Sequence, residues 1–310
     1  MSAFLRIFFA SAIITVVLIT TACKRSSKPV TVSNKNNYQT IDTVLVNQEN
    51  QTIAAFRSFV DSLENTDVTS ALLATDYFKM MFAGQSKGLC DTAYVIFQEL
   101  MDTILVKQNE RLETDTTDFS PFVSGEKTGR KINDFRGLLQ KNGFSLRSSE
   151  GMVYIQLNYN YLIQHFSALV SEPMIEYLTE INIEHKEGFA DDAAIIITPE
   201  KHVDRVIWYE NFISKYPTFI LIDNCKKYHK AYFTYLLNGF NNTTLFTSTE
   251  SHELSNYFAK AYSYLIKKYP DSETTLLTLP YYEALKKKQI AEANELLKKY
   301  LIKGLVFNLH

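Results

Sequence analysis

The chain has 310 residues, 46% hydrophobic and 21% charged, with a formal net charge of −2. That length suffices for one large core or two modest ones, and the near-neutral balance argues against a chain-wide basic field for nucleic acid or an anionic surface. Ten Gly and seven Pro make the composition helix-rich rather than that of a β-sandwich.

At the N-terminus Arg6 precedes an apolar run, Ile7–Ile19, and Thr20-Thr21-Ala22 set small side chains ahead of Cys23. A positive charge, an apolar stretch and small residues in that order mark a secretory leader. The run is short of the roughly 20 residues that span a bilayer, and it lacks the polar face of a surface helix. With a cysteine at the cut site, the stretch resembles a bacterial lipoprotein signal, whose cysteine thiol receives diacylglycerol before the leader is removed. The class usually has an aliphatic residue where this chain has Thr20, with Leu18 and Ile19 close by. The resemblance implies that residues 1–22 are a signal peptide and that Cys23 is the lipid attachment site. It further implies a lipid-anchored protein of the bacterial cell envelope, and Lys24 in place of an aspartate favours the outer membrane. Acyl chains hold firmly, since each buried CH2 contributes about 0.8 kcal/mol. The alternative is a plain secretory leader cut elsewhere, leaving Cys23 an ordinary thiol.

Residues 23–37, polar and without aromatics before Tyr38, read as a flexible tether. An N-terminal helical bundle is expected over 38–112. Ile53, Phe56, Phe59, Val60 and Leu63 recur at helical spacing. A second helix, Val68–Phe82, is expected to carry Leu72, Leu73, Tyr77, Met80 and Met81, with Gly84 as its stop. The third, Leu89–Leu112, presents Ala93, Ile96, Leu100, Ile104 and Leu105. Short polar links between the three point to antiparallel packing.

Acidic, Thr-rich residues with Pro121 and Gly125 place a loop or domain boundary at 113–131. A C-terminal helical-hairpin region is expected over 132–310. It begins with a helix at Ile132–Lys141 closed by Asn142-Gly143, and then a small β-hairpin near 144–157 around Ser148–Gly151. Helices follow at Tyr159–Val170, Pro173–His185, Pro199–Tyr216, Phe219–Leu237, Glu250–Tyr269, Thr274–Lys287 and Ile290–Ile302. Ser171 and Thr198 stand as N-caps, with Pro173 and Pro199 in the first turns. The fold class is therefore mainly α: an antiparallel helical bundle and helical-repeat-like hairpins, with one small β-hairpin.

Ile213-Ser-Lys-Tyr-Pro217 returns as Ile266-Lys-Lys-Tyr-Pro270, shifted by 53 residues, and the same shift aligns Tyr209 with Tyr262 and Tyr228 with Tyr281. The repeated unit reads as helix, proline-forced turn, helix. From Tyr269 to Leu301, with Tyr269-Pro270-Asp271-Ser272 opening the unit and small residues at Ala291 and Ala293, the chain resembles a tetratricopeptide-type unit of envelope lipoproteins. The 53-residue period and Pro280 depart from the 34-residue tetratricopeptide pattern.

Catalytic signatures are scarce. The chain has six histidines, His165, His185, His202, His229, His252 and His310, and no GxSxG elbow. His185, Asp191, Asp192, His202 and Asp204 are the densest set of metal-ligand types, but without HExxH, EF-hand or paired CxxC spacing. They read as solvated helix-end charges, with Asp191-Asp192 opening a helix over 193–197. No Gly-rich phosphate loop follows a strand. The expectation is no enzyme, no metal and no cofactor. Cys90 and Cys225 are either a disulfide or two buried thiols.

Aromatics are the compositional excess, at 13% of residues, 19 of them tyrosine. Tyr154, Tyr159, Tyr161, Tyr228, Tyr232 and Tyr235, with Asn158, Asn160, Asn241 and Asn242, make a candidate surface for a polar ligand, a sugar or a protein partner. The competing reading places them along helix–helix seams. The function expected is a lipid-anchored, non-enzymatic scaffold or protein-binding module. It would be held to the membrane by its N-terminal lipid, would meet a protein partner in the envelope and would bind no nucleic acid. The alternatives are a solute- or glycan-binding lipoprotein and an unrecognised envelope hydrolase.

Overall fold

The computed structural model describes residues 36–248 and 250–309, with side chains from Gln48 onward. The expected signal peptide, Cys23 and the expected tether up to residue 35 lie outside those residues. The chain is mainly α, with twelve helices and three short antiparallel strand pairs among the described residues. It divides into two units at Ser171/Glu172, not in the 113–131 segment.

In the first unit α1 (Asn36–Ser62), α2 (Thr69–Phe82) and α3 (Lys87–Glu113) form the bundle. Helix α1 begins two residues before the end of the expected tether. Ser86 caps α3 by accepting from the Leu89 N–H at 3.3 Å, which satisfies one of the free donors at a helix start. The expected core stripe of α3 is buried throughout: Ala93, Ile96, Leu100, Ile104 and Leu105.

Helix α2 turns a different face inward from the one its large residues marked. Ala71, Ala74, Phe78 and Phe82 are buried, while Leu73 and Met80 are 54% and 68% exposed. The alanines let neighbouring helices approach, and the phenylalanines fill the space between them. Phe56 of α1 meets Phe78 and Phe82 edge-on, at 5.5 and 5.3 Å between ring centres, an arrangement the aromatic quadrupole favours.

The 113–131 segment contains one helical turn, α4 (Ser120–Val123), before α5 (Arg130–Lys141). Strands β1 (Phe144–Ser149) and β2 (Met152–Leu157) form the expected hairpin. Its two-residue turn, Glu150-Gly151, has both φ angles positive, at 52° and 78°, as the right-handed strand twist requires. Helix α6 (Tyr159–Phe166) ends four residues earlier than expected.

Residues 132–171 thus belong with the N-terminal bundle rather than with the C-terminal hairpins. Three contacts explain why. The Asn109 amide of α3 both donates to the Ile155 carbonyl at 2.9 Å and accepts from its N–H at 2.8 Å, acting as a side-chain strand along β2. The Tyr161 hydroxyl donates to Thr75 of α2 at 3.0 Å. Phe166 closes the bundle with its ring 4.8 Å from Phe78 and 4.7 Å from Phe97.

The second unit runs α7 (Glu172–Glu187), β3 (Ala190–Asp191), β4 (Ala194–Ile195), α8 (Pro199–Lys215), α9 (Ile222–Asn238), β5 (Gly239–Phe240), β6 (Thr243–Thr244), α10 (Asn256–Lys268), α11 (Glu273–Lys286) and α12 (Ile290–Ile302). Thr198 caps α8 as expected, accepting from Lys201 N–H. Asp191 and Asp192 do not open a helix. They sit at a β-turn in which Asp192 and Ala193 both have positive φ, at 45° and 53°. The segment before α10 is likewise not helical, because Leu254 bridges Phe246 and the Ser255 N–H donates to the Leu245 carbonyl. The two small hairpins join through Asn242, whose N–H donates to the Ala193 carbonyl at 2.8 Å and whose amide donates to that of Asp192 at 2.6 Å.

The 53-residue repeat is a structural one. Tyr216 and Tyr269 end α8 and α10 with nearly the same backbone angles, φ −127° with ψ 61° and φ −129° with ψ 55°. Each lysine–tyrosine pair also holds an acid from an earlier helix. Lys215 and the Tyr216 hydroxyl reach Glu176 of α7 at 3.0 and 2.9 Å. Lys268 and the Tyr269 hydroxyl reach Asp204 of α8 at 3.1 and 2.7 Å. Tyr262 and Tyr281 donate to the consecutive carbonyls of Leu236 and Leu237, at 2.9 and 3.0 Å, which helix α9 leaves free at its end.

Candidate functional site

The densest polar chemistry in the second unit is buried between α7, α8 and α9. Met174, Tyr177, Leu178 and Ile181 form the apolar stripe of α7, and Glu184 continues it, only 6% exposed. From α8, His202, Arg205 and Tyr209 point into the same interior, and α9 contributes Tyr232.

Two phenols converge on one oxygen of Glu184. Tyr232 donates to Oε2 at 2.8 Å and Tyr209 at 3.2 Å. Oε1 is buried without a hydrogen-bond partner. Burial pushes the Glu184 carboxyl up to about 7, against the opposing pull of the Arg205 charge and the Tyr232 hydroxyl. A desolvated carboxylate is costly, so the group retains its proton well above the usual acid range. Glu180, one turn earlier, is also raised by burial.

Arg205 bonds to Glu187 and to the Gly188 carbonyl, at 3.1 and 2.8 Å, and lies over the Tyr232 ring at 5.7 Å. Glu187 is held low by its hydrogen bond from Lys201. His202 has a single tautomer consistent with its neighbours. Its Nε2 lies 2.9 Å from the Tyr232 carbonyl, which can only accept, so Nε2 carries the proton and Nδ1 accepts from the Tyr257 hydroxyl at 3.3 Å. Burial lowers its pKa to about 4, so the ring is neutral at physiological pH. Phe189 covers the ensemble, with its ring 5.1 Å from His202 and 4.9 Å from Tyr232.

The arrangement ties α7, α8 and α9 together through hydrogen bonds and charge. It is closed to solutes, since His202, Arg205, Tyr209 and Tyr232 are all buried. Cys225 is a buried free thiol pushed up to about 12 by desolvation, and Cys90 is likewise free, buried and raised. Neither environment favours the reactive thiolate.

The six expected tyrosines divide three and three between the units. Tyr161, Tyr232 and Tyr235 are buried rather than part of an accessible surface; Tyr154, Tyr159 and Tyr228 are half-buried. Tyr161 packs on His165 at 4.2 Å, and Tyr228 stacks on Tyr209 at 5.6 Å. Asn158 serves as the cap of α6. The candidate metal residues also separate: His185, Asp191 and Asp192 are exposed, His202 is enclosed, and Asp204 is held by Lys268, Tyr264 and Tyr269. Among the described residues no group of three or more His, Cys, Asp or Glu is placed to hold a metal ion.

Glu184 and Arg205 were not among the expected site residues. The signal for Glu184 was present: it lies seven residues after Tyr177 and three after Ile181, on the apolar register of its own helix. Comparison with protein-family models, with characterised proteins and with solved structures found no match to this chain.

Proposed function

We propose that this is a lipid-anchored protein of the bacterial cell envelope that acts as a helical scaffold or protein-binding module rather than as an enzyme. The observation that carries the reading is Ala22-Cys23 at the end of a charged and then apolar leader. Support comes from the helical hairpins with their repeated Lys-Tyr-Pro turns, an architecture that presents extended faces to partners. The enclosure of the Glu184, Arg205 and His202 cluster supports a structural role for these three residues.

The test is metabolic labelling of the full chain with an alkyne fatty acid, followed by membrane fractionation. The native chain is expected to take up label and sediment with outer membranes, and Cys23→Ser to take up none. Label retained by the variant, or a native chain that is unlabelled and released in soluble form, overturns the anchor. Crosslinked envelopes are expected to yield a specific protein partner; recovery of none, with an intact envelope on deletion, overturns the scaffold reading.

A further inference from the structure

The whole-chain charge of −2 conceals a local excess at the last hairpin, α11–α12. Residues 273–303 carry Lys286, Lys287, Lys288, Lys298, Lys299 and Lys303 against Glu273, Glu283, Glu292 and Glu295, a net of +2, and the excess is concentrated at the end of α12, where residues 296–303 hold Lys298, Lys299 and Lys303 and no acid. All six lysines are exposed.

The same hairpin exposes aliphatic side chains. Leu276 and Ile302 are 65% and 78% exposed, and Leu279 and Leu301 are 38% each. The Tyr300 hydroxyl donates to the Leu277 carbonyl at 2.7 Å. That bond draws the end of α12, with Leu301 and Ile302, against the half of α11 that carries Leu276 and Leu279.

The repeat supplies an internal comparison. A shift of 53 residues sets Leu276, Leu279 and Pro280 opposite Asp223, Lys226 and Lys227, which are exposed and charged. The hairpin geometry therefore does not demand apolar residues on this face.

Three kinds of occupant differ in chemistry. A second copy would bring its own Lys298, Lys299 and Lys303 to the end of α12, and like charges across a two-fold interface repel. Nucleic acid answers the lysines but not four exposed aliphatic side chains. An anionic bilayer answers both, because aliphatic groups enter the acyl boundary while lysine stems reach back to headgroup phosphates. We propose that the α11–α12 hairpin docks on an anionic lipid surface, inserting Leu276, Leu279, Leu301 and Ile302 and pairing Lys298, Lys299 and Lys303 with phosphates.

The chain from Lys24 onward keeps every described residue and carries no acyl group, so the outcome does not depend on the fate of Cys23. Its co-sedimentation is measured with vesicles of phosphatidylcholine alone and of phosphatidylcholine with phosphatidylglycerol. Binding to the anionic vesicles only, weakening as salt rises, is expected. Replacing Lys298, Lys299 and Lys303 together by alanine is expected to weaken it about a hundredfold, each such charge contributing roughly fivefold. Leu301→Ser with Ile302→Ser is expected to weaken it too, with the helical circular dichroism unchanged. Lys226→Ala with Lys227→Ala, on the matching face of the earlier repeat, is expected to leave it unchanged. Absence of vesicle binding, equal binding to both vesicle types, or tighter binding to DNA overturns the proposal. So does a dimer in sedimentation that Ile302→Ser abolishes.

Discussion

The first unit fills the space between its helices with phenylalanine, and the second fills it with tyrosine bonded to charge. In the first, Phe56, Phe78, Phe82, Phe97 and Phe166 meet ring to ring, and all five are fully buried. In the second, Tyr209 and Tyr232 are equally enclosed, but their hydroxyls are committed to Glu184. An apolar core responds to lost volume and is indifferent to protons. A core built on a buried carboxylate, an arginine and a neutral histidine responds to both.

The largest effect tests the apolar side of that contrast. Phe166→Ala removes the ring that closes the bundle, and a loss of about 3–5 kcal/mol is expected from such a cavity. Urea unfolding followed by circular dichroism measures it; a loss below about 1 kcal/mol would mean that the bundle closes without this ring.

Next comes proton dependence, which separates the units most directly. Trp208 is the single tryptophan and lies in the second unit, packed on Phe212 at 4.9 Å, so its fluorescence follows that unit. Glu184 is raised from 4.5 to about 7 in the folded state. Between those values the folded chain binds the extra proton, so this group's contribution to stability falls as pH rises. His202 is lowered from 6.5 to about 4. There the unfolded chain binds the extra proton, so stability rises with pH over that window. The two slopes oppose each other over about pH 4.5–6.5, and the Trp208 transition of the native chain is expected to be nearly level there. Glu184→Gln removes the larger share of the falling limb, Glu180 keeping the rest, and its transition temperature is expected to climb more than that of the native chain as pH rises from 4 to 6.5. A variant whose pH profile matches that of the native chain would show that Glu184 does not titrate in this window.

Gly143 sits between these effects in size. Its φ is +84°, and an added Cβ would lie 2.9 Å from the Tyr161 ring. Gly143→Ala is expected to cost on the order of 2 kcal/mol from backbone strain and displacement of that ring, read as a lowered urea midpoint. An unchanged midpoint would show that the ring shifts freely.

The Lys-Tyr-Pro latches are smaller. Tyr216→Phe and Tyr269→Phe each remove one hydroxyl from a carboxylate on the surface side of a turn. About 1 kcal/mol each is expected, with the two losses additive because the latches share no residue. Thermal unfolding of the single and double variants checks this. The smallest effect belongs to α2, where Leu73→Ser and Met80→Ser are expected to change stability by less than about 0.5 kcal/mol. A larger loss in thermal unfolding would restore the face that the large residues marked.

Much of the helical content was legible because it rests on local signals. Thr198-Pro199 starts α8 and Asn142-Gly143 ends α5, since capping and left-handed backbone depend on one or two side chains. The repeated Tyr-Pro turns were legible for the same reason. The face of α2 was not, because both of its sides carry apolar residues and only its neighbours select between Ala71–Phe82 and Leu73–Met80. The turns at Asp192-Ala193 and Asn241-Asn242 were missed because two-residue strands carry no alternation to read.

Sequence by itself determined the helical class, the hairpin at 144–157 and the repeated Tyr-Pro turns, all of them properties of neighbouring residues. Tertiary structure decided that residues 132–171 pack with the N-terminal helices, that the six tyrosines divide between two units, and that Glu184 meets Tyr209 and Tyr232. Those outcomes depend on contacts between residues 25 to 86 positions apart, where burial and hydrogen-bond satisfaction, rather than local propensity, select the partner.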